Sequence, residues 1–148
     1  MKGIDITADS AEYVWAMPFD RRNLRRALRV MLSAAEEKGI SVPKCVEIRL
    51  VDDKAMCAAN SRFTGCSGPT NVLSFPGEDG MPGIILMSSG AVQRECLLYG
   101  QRPAEYTLLL LAHGLAHLAG LDHGVDMDGV CDVCVAAAGR TLSPVLLP

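Results

Sequence analysis

The sequence is poor in aromatic residues: its 148 residues include three Phe, three Tyr and one Trp. Base-stacking surfaces are built from such rings, so any contact with single-stranded nucleic acid would depend on arginine side chains and the main chain. The formal net charge is only −3, which excludes a global electrostatic attraction to nucleic acid. Binding of that kind would therefore need a local patch of positive charge.

The chain also lacks a segment typical of export or membrane insertion. Its start, MKGIDITADSAEYVW, has one lysine followed by acidic and polar residues instead of an apolar stretch. The most apolar segment, 106–121, is interrupted by two histidines and two glycines and is too short to span a bilayer. We therefore expect a soluble, cytoplasmic protein without a membrane partner, whose six cysteines are reduced thiols.

What the sequence does have is the composition of one ordinary globular domain, with 49% hydrophobic and 21% charged residues. Strand-like and helix-like patterns alternate along it, which predicts a single domain over 1–148. The expected fold class is α+β, with a small mixed β-sheet of about four strands covered by about five helices. Strands are predicted near 4–15, 44–53, 70–76 and 83–88, and helices near 20–38, 53–63, 88–100, 103–120 and 126–138.

Histidine is used in one place only. His113, His117 and His123 are the only three in the chain, and they fall within eleven residues. His113 and His117 lie four positions apart in a helical segment, hence on one face, and Gly120 allows the chain to reverse so that His123 returns toward them. Three imidazoles with an open fourth position are typical of a catalytic zinc site, which favours metal ligands over core histidines.

The spacing of these histidines is also that of the metzincin proteases, in which a glutamate follows the first histidine as general base. Here that position is Gly114, which has no side chain. Peptide hydrolysis must move a proton to a poor amine leaving group, so the missing carboxylate disfavours a protease.

Two motifs carry a more specific resemblance. The stretch HGLAHLAGLDH resembles the signature H-G-x-x-H-L-x-G-[YFL]-D-H of the YbeY family, metal-dependent endoribonucleases of bacterial ribosomal RNA maturation. The stretch NSRFTGCSGPTNVLSFPGED is similar to that family's N-x-x-[YF]-R and P-T-[DN]-V-L-S-F-P segment. The two motifs have the order and spacing of the family, and the resemblance covers nearly the whole chain.

The resemblance implies a hydrolase of single-stranded RNA that acts in 3′-end maturation of small-subunit (16S) ribosomal RNA and in ribosome quality control. It implies one zinc ion (Zn2+) per chain and, as partners, ribosomal RNA and the small ribosomal subunit. The ligands would be His113, His117 and His123, with His113 and His117 in the catalytic centre and bound water as the nucleophile. Segment 69–76 would flank the metal cleft. Substrate contacts are expected from Arg62, Thr64, Thr70, Asn71 and Ser74.

The chain departs from the family pattern at two positions. Thr64 stands where the family usually has an arginine after the aromatic residue, and Ile84 stands where an aspartate usually follows the glycine of the strand. These changes leave the metal ligands intact but keep two alternatives open: a non-catalytic ribosome-assembly factor that keeps zinc for folding, and a metal-dependent hydrolase of another substrate. Three imidazoles also accept other first-row metal ions.

Two further signals bear on the metal. Asp122 precedes the third histidine, where its carboxylate would either accept a proton from a ligand imidazole or stabilise the turn. Cys131 and Cys134 form a C-x-x-C pair with no second pair, which favours two core thiols. The alternative is Cys131 as a fourth ligand that closes the site.

Arginines also follow one stripe of the helix predicted near 20–38. A solvated helix face is the commoner explanation of such a stripe, and contact with RNA phosphates is the alternative. The residues are Arg22, Arg25, Arg26 and Arg29.

Overall fold

The computed structural model describes residues 3–65, 70–78 and 80–146, and over them the chain forms four strands in one sheet and six helices. This confirms the α+β class with a small mixed sheet, with one helix more than expected. The elements are β1 (Gly3–Ala8), α1 (Ala11–Trp15), α2 (Arg21–Glu37), β2 (Cys45–Val51), α3 (Asp53–Thr64), β3 (Val72–Phe75), β4 (Gly83–Ser88), α4 (Ser89–Tyr99), α5 (Pro103–Leu118) and α6 (Val125–Leu146).

The sheet has the strand order β1-β2-β4-β3. The first three of these strands are parallel, and β3 is an antiparallel edge strand beside β4. Successive residues of a strand point to opposite faces, and the register aligns Ile6, Ile48 and Ile85 across the parallel strands. All three are buried. Helix α2 packs against β1 and α5 against β3 and β4, while α6 packs on α2 and α5.

Side-chain caps determine where several helices begin, because the first amides of a helix lack partners within it. The Asp20 carboxylate accepts a hydrogen bond of 2.8 Å from the amide of Asn23, which confirms the predicted start of α2. Asp52 accepts from the amide of Ala55 at 2.8 Å and starts α3. The Ser88 hydroxyl accepts from the amide of Ala91 at 3.1 Å and starts α4.

Two predicted elements were wrong in extent. The strand expected over 4–15 ends at Ala8, and Ala11–Trp15 is the helix α1. The reason is that β1 pairs with β2 alone, so β1 cannot extend beyond the end of β2. The amide of Asp9 donates to the carbonyl of Leu50 at 3.0 Å, and Leu50 is already the second-last residue of β2. Helix α6 continues past residue 138 because α6 packs along α2 and Leu142 is fully buried.

Helix α5 lies at the centre of the packing. It contacts α6, α4 and α2 as well as β3 and β4. Leu108, Leu111 and Ala112 are 1% exposed or less, so the segment is apolar because it is buried on most of its circumference. Among the described residues, no helix is both long and apolar enough to cross a membrane.

Candidate functional site

One cavity of about 510 Å³ opens between α5 and β3, and all three histidines line it. Its other wall is formed by the segment of β3 and the residues flanking it. The remaining lining residues are Asn71, Val72, Leu73, Ser74, Pro76 and Leu110. The structure therefore brings the two sequence motifs together at one place.

Helix α5 carries the first two histidines. His113 and His117 lie one helical turn apart and are half-buried, so both imidazoles project from the same face. Burial lowers the pKa of His113, and the neighbouring His123 and His117 lower it further, while Asp128 acts in the opposite direction. A lowered pKa favours the neutral imidazole, which is the form that binds a metal ion.

A Schellman turn ends α5 and reverses the chain. The amide of Leu121 donates to the carbonyl of Ala116 and the amide of Gly120 to that of His117, each at 3.0 Å. Gly120 has a φ of 88°, which a residue without Cβ adopts readily. The turn aims the carbonyl of Leu121 at His117.

The carbonyl oxygen of Leu121 lies 3.1 Å from Nδ1 of His117. A carbonyl can only accept, so Nδ1 carries the proton and donates, and the lone pair of the ring is on Nε2. Such a contact fixes both the tautomer and the ring orientation of a ligand histidine.

The reversal also brings the third histidine back. The ring centroids of His117 and His123 are 5.0 Å apart with an interplanar angle of 79°. Two imidazoles bound to one tetrahedral ion at about 2 Å would have centroids about 5 Å apart, so this separation fits a shared ion. Among the described residues, however, no three His, Cys, Asp or Glu side chains form a group already arranged to hold a metal.

The floor of the cavity depends on close packing of α5 against the sheet. The Ser74 hydroxyl donates to the carbonyl of Gly114 at 3.0 Å. A Cβ at Gly114 would lie 3.1 Å from Cδ1 of Ile85 and 3.3 Å from Oγ of Ser74. Even a Cβ at this position would therefore require its neighbours to shift by a few tenths of an ångström, so the close approach of α5 to the sheet favours glycine here.

Only some of the predicted substrate-binding residues lie at the cavity. Asn71 and Ser74 line the cavity. Thr70 is half-buried beside Asn71, and Arg62 is exposed in the last turn of α3; neither is among the described lining residues. The side chain of Thr64 lies outside the described residues.

Asp122 is exposed, and in the part of the chain that the structure describes no hydrogen bond joins it to a histidine. The role predicted for it is filled at His117 by the main-chain carbonyl of Leu121. This contact uses a main-chain carbonyl and depends only on the turn. The residue types at positions 121 and 122 therefore could not have predicted it.

The cysteine pair is buried in the core of the protein. Cys131 and Cys134 are 2% and 1% exposed and do not line the cavity, as expected for core thiols. Burial raises the pKa of each thiol to about 11, and Cys134 also donates to the carbonyl of Met31 at 3.4 Å. Neither is placed to close the site as a fourth ligand.

The arginine stripe follows the solvent side of α2. Leu24 and Leu28 face the core with no exposed surface, while the arginines are exposed or half-buried. This is the arrangement of a solvated helix face.

Three residues at or behind the cavity were not predicted from the sequence. Leu110 lines it, and the helical spacing of three from His113 would have identified it. Glu95 and Tyr106 contact Asn71 from α4 and α5. Asn71 and Glu95 are 24 positions apart, so no local pattern connects them.

Comparison with known proteins shows similarity to one family in sequence and to a solved structure in fold. A family model described as Endoribonuclease YbeY matches residues 11–130. An endoribonuclease YbeY of Lawsonia intracellularis is 44% identical over 121 residues, covering 81% of this chain and 86% of the relative. That of Oleidesulfovibrio alaskensis is 38% identical, covering 82% and 84%. The solution structure of TM1509 from Thermotoga maritima has a similar fold, with a TM-score of 0.65 at 20% identity over 95% of this chain and 92% of that one.

Proposed function

The chain belongs to the endoribonuclease YbeY family, and we propose that it is a zinc-dependent endoribonuclease that cleaves single-stranded RNA. The observation that carries the proposal is the convergence of all three histidines of the chain on one cavity, whose other wall is the β3 segment. The relatives named above support the class of reaction, because they are named endoribonucleases.

His113, His117 and His123 are the residues that would hold the ion. The donor set fits zinc, since it consists of imidazoles, one with a pKa lowered by burial and one with its tautomer fixed by Leu121. Side-chain adjustment is part of binding, because the three rings do not yet form a ready metal-binding group. When bound, zinc supplies a Lewis acid for water and for a phosphoryl oxygen.

The chain's own residues position the reactants. The Leu121 carbonyl orients His117, and the bond from Ser74 to Gly114 holds β3 against the helix that carries the ligands. Asn71 presents a polar side chain in the cavity wall. Gly114 supplies no carboxylate at the position where the metzincin proteases carry their general base, which favours phosphodiester cleavage over proteolysis.

The biological role we propose is 3′-end maturation of small-subunit ribosomal RNA and ribosome quality control in the cytoplasm, with the small subunit as partner. This role follows from the motifs HGLAHLAGLDH and PTNVLSFP, which resemble those of the family. Residues of both motifs line the same cavity, which is where we expect RNA to bind.

The test is cleavage of a labelled, unstructured RNA by zinc-loaded protein, with zinc content measured on the same samples. The His117→Ala variant is expected to lose zinc and cleavage while keeping its circular dichroism spectrum. The loss should exceed the roughly 10–100-fold that removal of a ligand's outer partner costs.

Asp122→Asn is the matched control, since Asp122 is exposed beside a ligand and no described bond joins it to a histidine. It should retain zinc and full activity. A parent protein that carries one zinc ion and does not cleave RNA would contradict the proposed reaction.

A further inference from the structure

A hydrogen-bonded cluster lies behind the cavity wall and joins three separate elements. One carboxylate oxygen of Glu95 in α4, Oε1, accepts from the hydroxyl of Tyr106 in α5 at 2.6 Å. The same oxygen accepts from Nδ2 of Asn71, just before β3, at 2.8 Å. Glu95 and Tyr106 do not line the cavity, whereas Asn71 does.

The direction of these bonds determines how the Asn71 amide is turned. A carboxylate can only accept, so the NH₂ group of Asn71 must face Glu95. The carbonyl oxygen Oδ1 then points away from Glu95, and no described residue donates to it. The orientation is therefore set by the bonding partner, not by an arbitrary choice between the two ends of the amide.

Asn71 is held through its main chain as well. The amide of Ser88 donates to the carbonyl of Asn71 at 3.1 Å, which ties the residue to the end of β4. Burial and the bond to Glu95 raise the pKa of Tyr106 to about 12, so its hydroxyl remains a donor throughout the physiological range. Glu95 thus accepts two hydrogen bonds from two different elements, and the pair of bonds favours one orientation of the Asn71 amide.

We propose that Glu95 and Tyr106 are positioning residues that hold the Oδ1 atom of Asn71 as a hydrogen-bond acceptor for the RNA substrate. The proposal rests on the proposed function and adds to it a specific contact. The group it fits is a donor on a nucleotide, either the ribose 2′-hydroxyl or an exocyclic amino group of a base. An amide oxygen suits this role because it accepts without adding a negative charge next to phosphate.

Kinetics of three variants, Asn71→Ala, Glu95→Gln and Tyr106→Phe, test the proposal. Tyr106→Phe removes one support of Glu95, and Glu95→Gln removes its charge, so each should raise KM for RNA about threefold to tenfold with a smaller change in kcat. The double variant Glu95→Gln/Asn71→Ala should be no worse than Asn71→Ala alone, because both changes remove the same contact.

The chain offers matched controls. Tyr99 is 62% exposed and the Glu105 side chain is 63% exposed, so Tyr99→Phe and Glu105→Gln should leave KM unchanged. A cluster that merely joins α4 to α5 would lower the melting temperature in the two cluster variants and leave KM at the parental value. That result would overturn the proposal. If Glu95→Gln fails to fold, the measurement on Tyr106→Phe is sufficient to decide the question.

RNA affinity, measured by fluorescence anisotropy in EDTA so that no cleavage occurs, separates this proposal from the proposed function. If the parent never cleaves RNA but Asn71→Ala and Glu95→Gln weaken binding equally, the reaction is wrong and the positioning role stands. If the parent cleaves RNA and the three variants bind it as the parent does, the positioning role is wrong.

The two donor sources are distinguished by the RNA used. With the 2′-hydroxyl as donor, the parent binds a ribo-oligonucleotide more tightly than its deoxyribo analogue, and Asn71→Ala removes that difference. With an amino group as donor, Asn71→Ala removes a preference among bases instead. A variant that keeps both of the parent's preferences would overturn the contact.

Discussion

Replacing Gly114 by alanine tests whether the residue after the first histidine is glycine for reasons of packing. In a helix interior, alanine is favoured over glycine by about 0.8–1 kcal/mol. At this position the added Cβ would meet Cδ1 and Cγ2 of Ile85 at 3.1 and 3.2 Å and Oγ of Ser74 at 3.3 Å. Ile85 has no exposed surface, so it cannot turn aside into solvent.

Overpacking of a filled core costs about 1–3 kcal/mol, which opposes the gain in helix propensity. The expected result for Gly114→Ala is thus between no change and a loss of about 2 kcal/mol in the free energy of unfolding. Gly129 is the matched control, because it lies within α6 and a Cβ added there would meet no atom within 4 Å. Gly129→Ala should gain about 0.8–1 kcal/mol.

Urea denaturation of both variants provides the measurement. In a domain of this size, a difference of 1 kcal/mol corresponds to about 2–4 °C in melting temperature. RNA cleavage should fall in Gly114→Ala beyond the loss of folded protein, since moving α5 off β3 displaces His113 and His117 from Asn71. Equal stabilisation by the two alanines would refute the packing argument.

Two other predictions concern charge and thiols. The hydrogen bond from Arg94 holds the pKa of Asp53 below its ordinary value of 3.8, so the pair's stabilisation is fully present above that value and is lost as the pH falls through the folded pKa. Parent and Asp53→Asn should therefore converge in urea midpoint on acidification, and a gap that widens in acid would contradict the pairing. Cys131 and Cys134 are buried with pKa values of about 11, whereas Cys45 is exposed. A thiol reagent followed by peptide mapping should label Cys45 in the native protein and the pair only after unfolding; rapid labelling of the pair would argue for a redox role.

Features with a local cause could be predicted from the sequence. Asp20 was identified as a cap because its carboxylate bonds an amide three residues on, and this interaction needs no distant partner. The alternation in β2 identified the buried side of the strand, since the period of two is a property of the backbone itself. The spacing of His113 and His117 predicted a shared face for the same kind of reason.

Features that depend on distant partners could not be predicted in this way. The strand β1 stops because its neighbour β2 stops, which the residues after Ala8 do not reveal. The extent of α6 depends on α2, against which it packs. Glu95 and Tyr106 meet at Asn71 only because the fold brings α4 and α5 together beside the residue that precedes β3.

The sequence by itself determined the identity of the three histidines, the reversal at Gly120 that returns the third to the first two, and the motifs that indicate the family. Only the tertiary structure decided which groups support them: the Leu121 carbonyl at His117, the close approach of Gly114 to Ile85, and the cluster that turns the Asn71 amide. The physical reason is the distance along the chain over which each interaction acts. Helical spacing and turns are set by neighbouring residues, whereas hydrogen bonds and packing across elements exist only once the helices have been placed against the sheet.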